Sequence, residues 1–135
     1  MKKVRGYNFS RSFMGERVPQ HVQNIVIKDF CKRNKLNFLL SLTEYSMPNS
    51  FHMLNELSKN LKGLHGMVAY SVFQMPRDKK KRIRIFREFI KKRKKIYFAC
   101  ENLELSNKDD LERIEKIWLV KEVYLNCPKT IRFHA

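Results

Sequence analysis

The chain has 135 residues, 43% of them hydrophobic, with four glycines and four prolines; this supports one core and excludes a disordered or fibrous chain. Lysine and arginine number 29 against 13 acids, a net charge of +16, so a partner recognised by charge is an anion: nucleic acid, an anionic lipid surface or a phosphorylated small molecule. Cys31, Cys100 and Cys127 are widely spaced with no CxxC, which speaks against a disulfide framework or zinc site and for free thiols in a reducing compartment.

The basic start, MKKVRGYNFS, is not followed by a secretory-type apolar run, and no stretch approaches 18 apolar residues, so a cytoplasmic protein with no membrane span is expected. No cofactor or metal is expected. Lysine, asparagine, isoleucine, phenylalanine and tyrosine are all abundant. An AT-rich coding sequence produces that bias without any ligand, so the charge has a compositional reading beside the functional one.

In chain order, the first strand is predicted over 4–10 (VRGYNFS) and the first helix over 18–33, with Val22, Ile25, Val26 and Phe30 on its apolar face. Pro19 suits the first turn of that helix, where a missing N–H costs nothing. A second strand is predicted over 36–42, then a helix over 50–62 with Phe51, Leu54, Leu57 and Leu61 inward and Asn49 or Ser50 as cap. Gly63 and Gly66 read as its end. The third strand is predicted over 66–73, the third helix over 78–93 (Ile83, Phe86, Phe89, Ile90), the fourth strand over 95–101 and the fourth helix over 107–126 (Leu111, Ile114, Trp118, Leu125). Ser106 or Asn107 is the expected cap of the fourth helix, with Asp109 and Asp110 in its first turn.

Four strands alternating with four helices specify an α/β domain with a mostly parallel four-stranded sheet, and the near-continuous apolar strands imply helices on both faces. The strand order expected is 2-1-3-4, in a single domain over 1–126 with an irregular tail over 127–135. Ligands in such sheets bind beyond the carboxyl ends of the strands, where the order switches. That places Ser10, Arg11, Ser12 and Arg17 after strand 1 beside Ser71, Gln74 and Arg77 after strand 3, with Glu44, Tyr45 and Ser46 and then Glu101 and Asn102 nearby. Guanidinium groups and a helix N-terminus suit a phosphate or carboxylate. Arg11, Ser12, Arg17, Glu44, Ser46, Gln74 and Arg77 are the candidate ligand-binding set. The plainer reading is that Arg11 and Arg17 pair with Glu16, Glu44 or Glu101 and hold loops together. Glu44 and Glu101 could also serve acid/base chemistry or bind a metal, with ordinary loop glutamates the plainer reading, and His21 could serve as a base. No HExxH, GxSxG, GxGxxG or P-loop motif is present.

Residues 77–95, RDKKKRIRIFREFIKKRKK, carry twelve cations and two acids. Lys80, Arg84, Arg87, Lys91 and Lys94 fall at helical spacing as one basic stripe opposite Ile83, Phe86 and Ile90. Such a stripe suits a phosphate backbone or an anionic membrane surface; a solvated lysine-rich face is the bland alternative. The fourth helix carries Trp118, Leu119, Val120, Val123, Tyr124 and Leu125, more apolar surface than one small sheet needs, which suggests a homodimer.

Two resemblances follow from motifs. RGYNFSRSFMGERVPQHVQN, TEYSMPNSFHMLNEL, YSVFQMPRD and IYFACENLELSN with ERIEKIWLVKE resemble the sporadic carbohydrate cluster protein family, small bacterial proteins of surface-polysaccharide gene clusters. That resemblance implies a surface-carbohydrate or lipopolysaccharide pathway context and carries no catalytic residue. The layout is also similar to the catalytic domain of serine recombinases (resolvases), whose first strand ends in aromatic-x-Arg-x-Ser. Here Phe9-Ser10-Arg11-Ser12-Phe13 puts Arg11 on the arginine and Phe13 on the nucleophile, with Ser12 one residue early. Gln23, Glu44 and Ser46 resemble further family positions. After strand 3, where that family has Asp-Arg-x-x-Arg, only Arg77 matches, and no helix-turn-helix segment follows within these residues. The resemblance implies a retained fold with a rebuilt site. The expectation is an accessory protein or enzyme that binds a phosphorylated or nucleotide-linked sugar at the strand ends; the alternative is a nucleic-acid-binding domain without recombinase catalysis.

Overall fold

The computed structural model describes residues 2–126; the expected tail over 127–135, with Cys127, lies outside the described residues. The elements are β1 (Lys2–Phe9), α1 (Gln20–Arg33), β2 (Leu36–Glu44), α2 (His52–Lys59), β3 (Gly66–Ala69), a single 3-10 turn (Val72–Gln74), α3 (Lys79–Lys91), β4 (Lys95–Phe98), β5 (Leu103–Leu105) and α4 (Lys108–Leu125). The sheet runs β2-β1-β3-β4-β5, parallel throughout except for antiparallel β5. The four expected strands stand in the order 2-1-3-4. A fifth, missed in the sequence because three residues are too short to show a period, extends the far edge.

Period-two alternation sends successive side chains to opposite faces. Tyr7, Phe9, Met67, Ala69, Ile96 and Phe98 meet α2, α3 and α4 in the larger core. Val4, Val68, Tyr97 and Ala99 meet α1 through Ile27, Phe30 and Cys31. The inward face of α1 therefore differs from the expected one: Ile27 and Phe30 are buried, whereas Ile25 is 62% exposed.

One helix and one strand are shorter than their patterns suggested. The α2 helix stops at Lys59, and Gly63 (φ +79°) turns the chain toward β3. Gly66 is not a helix stop but a strand residue, because a Cβ there would collide with the carbonyl oxygen of Lys95. β3 ends at Ala69, where Ser71 opens the 3-10 turn with a reciprocal cap: its hydroxyl accepts from Phe73 N and Gln74 Oε1 accepts from Ser71 N.

Pro19 precedes the first turn of α1 as its cap. Asn107 caps α4 by accepting from Asp110 N, while Asp110 accepts from Ser106. No described helix is long and apolar enough to cross a membrane.

Candidate functional site

The loop after β1 is a tight turn. Phe13 and Glu16 exchange backbone hydrogen bonds (2.9 and 2.8 Å), with Met14 and Gly15 both at positive φ between them. Phe13 is driven inward and packs edge-on to Phe9 and Tyr70. That rotation leaves Ser12 exposed and Arg11 half-buried. The Arg11 guanidinium lies 4.2 Å over the Phe9 ring and 5.1 Å from the Phe51 ring. It donates to the carbonyl oxygens of Tyr45 (2.6 Å) and Ser50 (2.8 Å). Arg11 thus ties the β1 loop to the β2–α2 loop, through carbonyls and not through the glutamates the sequence suggested.

Glu44 is buried at the end of β2 and accepts four hydrogen bonds: from Tyr7 Oη (2.9 Å) and from the backbone N–H groups of Tyr45, Met53 and Leu54 (3.1 Å each). The α2 helix has no side-chain cap of its own at Phe51, so neither Asn49 nor Ser50 does what the sequence suggested. A carboxylate from another element fills the role, at the helix end where negative charge is favoured. Burial first, then the neighbouring Glu44 charge, holds the Tyr7 phenol well above its ordinary range. The Glu44 oxygens are committed to the fold.

Gln74 is equally committed. It is fully buried, and its Nε2 donates to Gln23 Oε1 at 2.7 Å. Gln23 Oε1 accepts from Phe9 N, and its Nε2 donates to the Phe9 and Val18 carbonyls. Two amide side chains therefore replace a strand's ladder where β1 runs out of partners. Glu101 accepts from Ser71 Oγ and Val72 N, both at 2.8 Å. Arg77 makes a two-pronged ion pair with Glu122 of α4 (2.8 and 2.9 Å), which lowers the Glu122 carboxyl below its ordinary range.

The open groups at this end of the sheet are Ser12, Ser46 and part of Arg11. They surround a cavity of about 350 Å³ floored by Phe9, Phe13, Phe51 and Phe73, with Asn49 and Arg77 on its rim. Four of the seven candidates, Arg11, Ser12, Ser46 and Arg77, line one cavity. Glu44 and Gln74 lie beneath it as supports. Arg17 and His21 are exposed and outside its lining. No group of three or more His, Cys, Asp or Glu side chains that could hold a metal occurs among the described residues.

The basic stripe falls on α3 as expected for Lys80, Arg84, Arg87 and Lys91. All four are exposed, and none makes an ion pair or side-chain hydrogen bond among the described residues. Lys94 departs from the pattern: it lies beyond the helix end and donates to the Leu64 carbonyl at 2.6 Å.

Sequence reasoning also missed Arg82. It is buried, pairs with Glu115 through two bonds (2.6 and 2.7 Å), donates to the Pro76 and Arg77 carbonyls, and stacks 4.3 Å over Trp118. The signal was present. Arg82, Ile85, Phe86 and Phe89 share one helical face, so this arginine stands among the core residues and off the stripe.

No family model matches the chain, and no curated protein sequence matches it. Solved structures resemble it in fold. The N-terminal catalytic domain of TP901-1 integrase superposes with a TM-score of 0.62 at 12% identity, covering 91% of this chain and 96% of that one. A resolvase family site-specific recombinase from Streptococcus pneumoniae superposes with a TM-score of 0.60 at 7% identity, covering 90% of each. The described chain is a single α/β domain with a resolvase-like fold.

Proposed function

We propose that this domain binds nucleic acid through the exposed face of α3, on a resolvase-like scaffold that does not carry out strand exchange. The observation that supports this most is the set of unpartnered cations on one helix face: Lys80, Arg84, Arg87 and Lys91. Several cations elsewhere are used internally, on Glu115, Glu122, Glu104 and carbonyl oxygens. Unpaired cations in a row release counterions when they meet phosphates, and that release drives sequence-independent binding. In the sequence resemblance to the recombinases, the nucleophile's position falls on Phe13, whose ring is buried. A hydroxyl is therefore missing where that chemistry needs one.

The test is fluorescence anisotropy with a labelled duplex of about 20 base pairs across a salt series. Four phosphate contacts give a slope of log K against log salt near −4. The triple variant Lys80→Glu, Arg84→Glu, Arg87→Glu should weaken binding at least about tenfold and flatten the slope by about three. Binding that ignores these reversals would refute the reading.

A second reading keeps the strand-end cavity for a phosphorylated or nucleotide-linked sugar, with the pathway context resting on the sequence resemblance to the carbohydrate cluster proteins. It is favoured by the aromatic floor beneath Arg11, Ser12, Ser46 and Arg77. Thermal unfolding with nucleotide sugars and sugar phosphates tests it. A ligand at about 100 times its Kd adds about 2.7 kcal/mol, and the gain should vanish in Ser12→Ala/Arg77→Ala. Arg11→Ala is a poor probe, because removing that side chain also releases the Tyr45 and Ser50 carbonyls.

A further inference from the structure

At the opposite pole of the sheet, where the parallel strands begin, a cleft of about 460 Å³ is lined by Lys2, Lys3, Gly63, His65, Arg93 and Lys94. Its walls come from three chain segments that backbone bonds hold together: His65 N donates to the Lys3 carbonyl and Lys95 N to the His65 carbonyl. No carboxylate lines it; the nearest acid to act on His65, Glu104, is already paired with Lys95. Lys2, Lys3 and Arg93 are exposed and have no side-chain partner among the described residues.

A second, independent observation concerns the backbone. The α3 helix ends in a Schellman turn: Arg93 N donates to the Ile90 carbonyl and Lys94 N to the Phe89 carbonyl. The residue at the left-handed position of that turn is normally glycine. Here it is Arg93, at φ +58°. At the end of α1, Lys35 also takes a positive φ (+55°), outside this cleft and without the second Schellman bond. A long cation at a position where glycine is less strained marks a residue kept for something other than the turn. Helix C-termini do favour nearby cations, but that preference is met at the neighbouring positions, Lys91 and Lys92, without straining the backbone. His65, whose Nε2 is hydrogen-bonded to Tyr97 Oη at 2.9 Å, reads the same field: its pKa lies below the ordinary value, through burial first and then through Lys2, Lys95 and Lys94, against the opposing charge of Glu104.

We infer that this cleft is a phosphate site, with Arg93, Lys2 and Lys3 gripping a multiply charged phosphoryl group and the His65 imidazole at its floor. The group belongs to a free oligophosphate or to the phosphorylated end of a nucleic acid strand, which share this chemistry. The site is separate from the α3 stripe and from the strand-end cavity.

The experiment titrates isotope-labelled protein with sodium tripolyphosphate at about 0.15 M salt, reading backbone and His65 resonances. Saturable shifts confined to Lys2, Lys3, His65, Arg93 and Lys94, with the His65 pKa rising on binding, are expected. Arg93→Gly should weaken binding about tenfold or more while melting no lower than the parent, since glycine suits the turn. Lys80→Glu/Arg84→Glu/Arg87→Glu should bind tripolyphosphate with unchanged saturable cleft shifts even if it loses duplex binding, which separates this site from the helix face. Competition by a 5′-phosphorylated oligonucleotide, but not by its unphosphorylated twin, assigns the strand end; competition by neither assigns the free oligophosphate. Unsaturable shifts spread along α3, or parental affinity in Arg93→Gly, would overturn the inference.

Discussion

Glu44 shows how a residue's chemistry can mislead when its neighbours are unknown. A glutamate at the carboxyl end of a strand, close to arginines, looks like an acid/base group or a ligand orienter. The structure uses it to cap a helix and hold a tyrosine, with four hydrogen bonds on one carboxylate. Charge-assisted bonds of this kind contribute roughly 1.5–3 kcal/mol each, and leaving their buried partners unmatched is the larger cost. Glu44→Gln keeps the shape but swaps one acceptor oxygen for an NH₂ that faces donors. It should lower unfolding free energy by about 2–3 kcal/mol, measured by urea denaturation; a loss under 0.5 kcal/mol would mean the carboxylate is not the cap. Gln74 and Gln23 teach the same lesson. Their partners lie 51 positions apart in sequence, so no local pattern could reveal that both are interior supports. Arg11, Ser12, Ser46 and Arg77, by contrast, were placed by strand-end logic alone, because that logic needs only the end of each strand and the switch in strand order.

At the scale of elements, the docking of α4 onto α3 combines a shared apolar core with one buried ion pair. Arg82 and Glu115 have side-chain exposures of 5% and 13%, and the guanidinium lies against Trp118. Removing one partner strands a buried charge, whereas replacing both with apolar groups need not cost anything. Glu115→Ala should therefore destabilise by about 3–5 kcal/mol, and the double variant Arg82→Met/Glu115→Leu should recover most of that loss; equal losses in both would put the contribution in packing. Arg82→Lys cannot rescue, since a point charge cannot reproduce the two-pronged geometry.

The outer face of α4 carries Leu119, Val120 and Val123 at 57–69% exposure, while Trp118 turned inward. The sequence listed all of them together and could not say which way the helix was rotated. Self-association through that face is the expected behaviour, and Val120→Glu should convert a concentration-dependent sedimentation profile to a monomer's.

The whole-molecule architecture was legible because long apolar runs alternated with amphipathic ones, and each run's period reports its own element. What escaped was set by length or by contact: a three-residue antiparallel strand, and a glycine whose role is close approach of two strands. The titration of the whole fold follows from its buried phenols and thiol. Burial pushes the Cys31 thiol up to about 11 and the Tyr97 phenol up to about 12; burial, then the Glu44 charge, also holds the Tyr7 phenol well above its ordinary range. In each case the folded state holds a proton that the unfolded chain gives up at a lower pH. The stability these groups contribute is complete below pH 9 and is lost as pH rises, first through Cys31 and then, above about pH 10, through the tyrosines, at about 1.4 kcal/mol per pH unit per group. A competing effect has the opposite sign. Deprotonating lysines relieves the self-repulsion of a chain with net charge +16, but lysines are half deprotonated only near pH 10.4 and lose little charge below about pH 9.4, and about 0.5 M salt screens that repulsion beyond roughly 4 Å. At that salt, urea midpoints should stay level from pH 7 to 8.5 and fall from pH 9 upward. Cys31→Ala should delay the onset of the fall toward pH 10, at the cost of a small cavity beside Phe30. A midpoint that holds level to pH 11 would show that these protons are not retained by the fold.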